Sequence, residues 1–147
     1  MTTATYATDF YAWTQEQASL LRTEALEKLD LPNLAEEIEA MGRSQRSQLA
    51  NRLRVLVMHL LKLHYQPDHS SKSWLRTIRE QRRRLELLLL NNPSLRREAP
   101  DWLVYAYARA CSDAAEETGL ALSVFPDDCP WTIEQILDLN WLPALLL

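Results

Sequence analysis

Apolar residues recur along this chain at helical spacing, with almost no stretch that alternates as a strand would. Thr8 and Asp9 precede a run in which Phe10, Trp13, Gln17 and Leu20/Leu21 share one side, predicting a first helix that gives way near Arg22–Thr23. A short turn over Ala25–Leu29 leads to Asp30. Asn33 is the expected cap of the second helix, with Glu36 three residues on to complete a capping box. From there Leu34, Ile38, Met41, Leu49, Leu53, Leu56, Leu60 and Leu63 carry the rhythm to about Tyr65. Such a helix is roughly 50 Å long at 1.5 Å per residue. Gly42 inside it is a candidate kink or break. Gln66-Pro67 ends it, because the residue before proline avoids helical geometry.

Ser70, Ser71 or Ser73 opens a third helix whose apolar side holds Trp74, Ile78, Leu85, Leu88 and Leu89, and Asn91-Asn92-Pro93 stops it. Ser94 is the expected cap of a fourth, kinked or restarted at Pro100 and ending before Gly119. Its alanines, Ala106, Ala108, Ala110, Ala114 and Ala115, permit close helix packing. After the rigid turn Pro126–Pro130, Thr132 and Gln135 form a capping box for a last helix, Ile133–Leu139, with Pro143 and an apolar tail behind it. Leu120–Phe125 is the sole strand candidate. The prediction is an all-α chain, one compact bundle of about five helices spanning 1–147, with the long second helix antiparallel to the third.

Composition agrees with this reading. Glycine occurs only twice in 147 residues, too rarely for the turns of a hairpin-rich fold. Hydrophobic residues at 47% with charged residues at 24% describe a chain able to bury a core. Cys111 and Cys129 lack zinc spacing and are too few for a disulfide framework, so two free thiols in a reducing cytosol are expected. The start, MTTATYATDFYAW, has neither the basic residues nor the apolar run of a secretion signal, and no apolar run spans a membrane.

Five runs appear in order: NLAEEIEAMGRS (33–44), HLLKLHYQP (59–67), SWLRTIREQR (73–82), NPSL (92–95) and CPWTIEQILDLNWLP (129–143). Together they resemble the small bacterial proteins catalogued as domain of unknown function 29, abundant in cyanobacteria. The resemblance covers nearly the whole chain and implies a compact all-helical bacterial protein, with no activity and no catalytic residue to carry over. Pro100 departs from the pattern, which puts the geometry of the fourth helix in question.

Charge is strongly segregated. Residues 1–42 carry a balance of −6, residues 43–84 of +9 and residues 85–147 of −7, which sum to −4. Such a pattern either closes on itself within the fold or attracts a partner. Lys72, Arg76, Arg79 and Arg83 recur at helical spacing as a basic stripe, a candidate phosphate-binding row. The acidic pI of about 5.4 and the lack of interleaved aromatics weigh against a dedicated nucleic-acid binder. Gln81 and Arg82 fall on the apolar side of the same helix. A buried guanidinium needs a partner, for which Glu37 is the first choice and Glu36 the second.

His59 and His64 are five apart and diverge around a helix, and His69 lies in a loop. His59 reads as a core histidine; a metal site would need it to combine with Glu37, and the Glu-x-x-His pair of helical metal bundles is missing. No serine elbow or phosphate loop is present, and Asp128 beside Cys129 disfavours a reactive thiolate. No metal and no cofactor is therefore expected. The leading expectation is a non-enzymatic interaction module of the cytosol, of a regulatory or toxin–antitoxin-like kind. A protein partner or self-association ranks above nucleic acid, and a metal-dependent helical-bundle enzyme is the remaining alternative.

Overall fold

The computed structural model describes residues 5–144. Within them are five α-helices: α1 (Phe10–Arg22), α2 (Leu31–Tyr65), α3 (Lys72–Asn91), α4 (Pro93–Thr118) and α5 (Ile133–Leu137). None of the described residues is in a strand. The strand candidate is instead a single 3-10 turn, Leu122–Val124, that leads Phe125 into the core. By compactness the chain divides into two units, Met1–Ser44 and Gln45–Leu147, and α2 begins in the first and ends in the second.

In the first unit the Asp9 side chain caps α1 by accepting from the Ala12 amide. Trp13 and Gln17 face inward from that helix, and both meet Asp30. Trp13 Nε1 donates to Asp30 Oδ2 at 3.0 Å, and the Asp30 amide donates to Gln17 Oε1 at 2.8 Å. Asn33 Nδ2 adds a third bond to Asp30 at 2.8 Å. Donation from Asn33 holds the Asp30 carboxyl below its usual range, with Trp13 helping against a partial desolvation. This knot corrects the expected start of α2, which begins at Leu31 and not after Asn33. Asp30, fixed by α1, stands where a cap is needed, and Pro32 is tolerated in a first helical turn.

Gly42 neither kinks nor breaks α2, which runs unbroken to Tyr65 as the apolar rhythm predicts. Burial does not follow the rhythm throughout. Leu49, Leu53, Leu56, Leu60 and Leu63 are buried, yet Leu31, Ile38 and Met41 are 64%, 67% and 66% exposed. The first unit supplies only α1 and one turn besides this half of α2, and they leave that stripe uncovered.

In the second unit α2 runs antiparallel to α3 and parallel to α4. Arg52 Nη1 donates to Gln81 Oε1 at 3.3 Å, and Lys62 Nζ lies 4.5 Å from the Trp74 ring, so rising numbers on α2 meet falling numbers on α3. Arg54 pairs with Asp113 at 3.2 Å and Lys62 with Glu117 at 2.6 Å, which fixes the parallel sense with α4. Ile78, Leu85, Leu88 and Leu89 of α3 join the leucines of α2 in one buried cluster. Trp74 stays half-buried, its face covered by the Lys62 ammonium. Ala99, Ala106, Ala110 and Ala114 are the small buried positions of α4.

Pro100 does not restart α4, which is continuous from Pro93; the proline is exposed, so the bond it cannot make is lost on the solvent side. Asn92, not Ser94, occupies the cap position, and its side chain bonds Leu88 and Gln45 instead of capping. Gly119 ends α4 in the left-handed conformation at φ 76°, which glycine adopts without a Cβ clash. The expected capping box of α5 is present, with Thr132 and Gln135 exchanging both bonds. The helix stops at Leu137, two residues before the expected Leu139, because Asp138 turns to an extended conformation.

Candidate interaction sites on α3

Most cations of the middle segment fall into two groups, with Arg52 and Arg82 outside both. Arg46, Arg54 and Lys62 of α2 pair with Glu98, Asp113 and Glu117 of α4. Arg43 pairs with Glu36 and Glu39, and Arg84 with Glu80. Much of the segregated charge thus closes within the chain. Lys72, Arg76, Arg79 and Arg83 are exposed and take part in none of the ion pairs among the described residues. They lie along one face of α3, over roughly 16 Å at 1.5 Å per residue.

Arg82 lies on the other face and is 2% exposed. Its Nε donates to the Ile136 carbonyl of α5 at 2.8 Å, and its Nη2 has no hydrogen-bond partner. Burial pushes its pKa down from the usual arginine value, and the negative charge of Asp138 pulls weakly the other way. The expected partnership with Glu37 or Glu36 is not made. Glu37 is half-buried and accepts from the Tyr6 hydroxyl, while Glu36 is exposed and holds Arg43. Both acids belong to the first unit and are engaged there. Gln81, half-buried, is taken by Arg52.

A groove of about 610 Å³ opens beside Arg82. Leu89, Leu90, Pro93, Leu137 and Leu139 make most of its wall, and Glu86 and Arg96 add charge. Arg96 reaches Glu134 at 3.8 Å. Sequence reasoning missed this groove because its walls come from α3, the start of α4 and the segment after α5. No local spacing announces such a meeting.

His59 is half-buried and bonds the Val55 carbonyl through Nδ1 at 2.8 Å. Burial lowers its pKa, and the bond to Val55 opposes that shift. Its proposed metal companion Glu37 belongs to the other unit, and among the described residues no group of three or more His, Cys, Asp or Glu side chains is gathered for a metal. Burial raises the thiol pKa of both Cys111 and Cys129. No described helix is long and apolar enough to cross a membrane.

The family model of the domain of unknown function DUF29 matches residues 5–142. The chain belongs to the DUF29 family. The match spans both units and every helix described above, so the Asp30 knot, the α3 faces and the α5 capping box all lie within the DUF29 region. Neither the curated proteins nor the solved structures contain a match to the chain.

Proposed function

We propose that this DUF29 chain is a non-enzymatic interaction module that docks helix against helix, and that its partner is a second copy of the same chain. The observation that carries this reading is the uncovered stripe on the first half of α2. Leu31, Leu34, Ile38 and Met41 recur at spacings of three, four and three, the pattern of a coiled-coil seam, and three of them are about two-thirds exposed. Gly42 adds to it. A glycine inside a helix costs about 1 kcal/mol relative to alanine. Nothing among the described residues lies within 4 Å of where its Cβ would stand, so no contact there requires it, and a helix laid on the stripe could approach the backbone closely.

The apolar spacing is self-complementary in antiparallel register. A two-fold axis midway between Leu34 and Ile38 brings Leu31 of each α2 opposite Met41 of the other and Leu34 opposite Ile38, an isologous contact that closes as a dimer. Each stripe residue regains about 1–2 kcal/mol on burial. Association costs about 4–15 kcal/mol in lost freedom against about 8–16 from the eight stripe residues of two copies, and the favourable end of these ranges, a dimer of roughly micromolar strength, is the one tested. Sedimentation equilibrium tests it: the chain should dimerise, and Ile38→Lys and Met41→Lys should each make it monomeric with unchanged helicity. A monomer at 100-fold above that range, about 100 μM, overturns the reading. A monomer that instead binds a foreign amphipathic helix keeps the surface and replaces the partner.

The exposed basic row of α3 supports a second reading, nucleic-acid binding. Arg76/Arg79→Ala should then abolish a gel shift seen at low salt, and the wild-type affinity should fall steeply with added salt. Absence of any shift at low salt removes this reading.

A further inference from the structure

We propose that the groove beside Arg82 binds an aliphatic carboxylate, a free amphiphile whose anionic head sits over Arg82 and whose hydrocarbon chain lies along Leu89, Leu90, Leu137 and Leu139. Buried polar atoms in folded proteins nearly always have partners, and a buried charge without one is costly. Arg82 is 2% exposed, holds a single hydrogen bond, to Ile136, and leaves Nη2 unpartnered. No carboxylate of the described residues forms an ion pair with it. The fold therefore holds a cation with no ion-pair partner, favoured only by the more distant charge of Asp138, against an apolar groove.

The volume, about 610 Å³, falls in the range of small-molecule sites, as does the composition of leucine walls with a few convergent polar groups. A peptide would bring amides onto leucine walls that offer them no partners, so the occupant is hydrocarbon behind its head. Glu86 lies in the same wall but is exposed, so solvent screens its repulsion of the head. Arg96 is the other cation of the groove, but Glu134 already draws on it. The Nη2 atom is closed to solvent, so the head reaches it only when a side chain of the groove wall moves aside.

Calorimetric titration of the whole chain with decanoate, decanol and decylammonium tests the site. Decanoate should bind at least ten-fold more tightly than decanol, decylammonium should bind no better than decanol, and at equal concentration decanoate should raise the melting temperature most. Arg82→Met should remove the preference for decanoate over decanol. Leu90→Trp alters an exposed wall residue and should block both ligands with melting unchanged. It keeps the site testable should Arg82→Met not fold. Ile38→Lys should bind decanoate as the wild type does, which separates this site from the dimer seam. Equal binding of decanoate and decanol by the wild type overturns the proposal, as does decanoate binding that survives Leu90→Trp. A peptide with a free C-terminal leucine that binds more tightly than decanoate, and loses binding on amidation, overturns the choice of occupant.

Discussion

Replacing Arg82 by methionine separates a buried cation that stabilises the fold from one the fold merely tolerates. Had Arg82 been paired with a buried carboxylate, its loss would cost about 3–5 kcal/mol, because the acid would be stranded. The structure changes the sign of that expectation. The lost interaction is the bond from Nε to the Ile136 carbonyl, and a hydrogen bond to a charged group contributes about 1.5–3 kcal/mol. Against it stands the desolvation of a guanidinium whose Nη2 has no partner, an effective penalty of several kcal/mol. The pKa direction agrees: a folded-state value below the unfolded one means that folding works against the protonated form at neutral pH. Methionine keeps the apolar stem and can fill the site. The balance is between neutral and about 2 kcal/mol stabilising, which for a chain of this length raises the melting temperature by a few degrees. Urea unfolding followed by far-UV circular dichroism measures it. A loss of 3 kcal/mol or more, on the order expected for a broken buried pair, would refute the reasoning. Asp138→Asn supplies the control: it should slightly destabilise the wild type, whose Arg82 it favours electrostatically, and leave Arg82→Met unchanged.

Ile78→Asp should unfold or aggregate the chain, because Ile78 is buried in the core and an aspartate there has no partner; a soluble variant with unchanged melting contradicts that packing. Gly42→Ala should stabilise α2 by about 1 kcal/mol in urea unfolding, since open space surrounds the position, and should weaken dimerisation if close helix approach uses it. His59 has a folded-state pKa below its usual value, so as pH falls through about 6.5 the unfolded state takes up the proton first and stability declines until the lower folded value is passed. His59→Gln should flatten the stability profile between about pH 7 and pH 5, and an identical slope in both proteins would remove His59 as its source.

Much of the local architecture was legible in the chain. The leucine rhythm carried α2 to Tyr65, one of three candidate serines, Ser71, capped α3, Gly119 ended α4, and Thr132 with Gln135 opened α5. Each of these depends on residues within a few positions of one another, through capping bonds, backbone geometry or helical periodicity. What escaped depends on distant residues. Asp30 displaced Asn33 as the start of α2 because Trp13 and Gln17 of another helix hold it. Ile38 and Met41 continue an apolar pattern that reads as core, but periodicity says only that a face is apolar, not whether anything in the same chain covers it. Arg82 shows the division most clearly. Its place on the apolar side of α3 followed from helical projection and points to burial. Whether it met a carboxylate, a carbonyl or an open groove depended on where α5 came to rest against α3, and that was decided by tertiary packing, since it is long-range contact and not local spacing that sets a buried charge's surroundings.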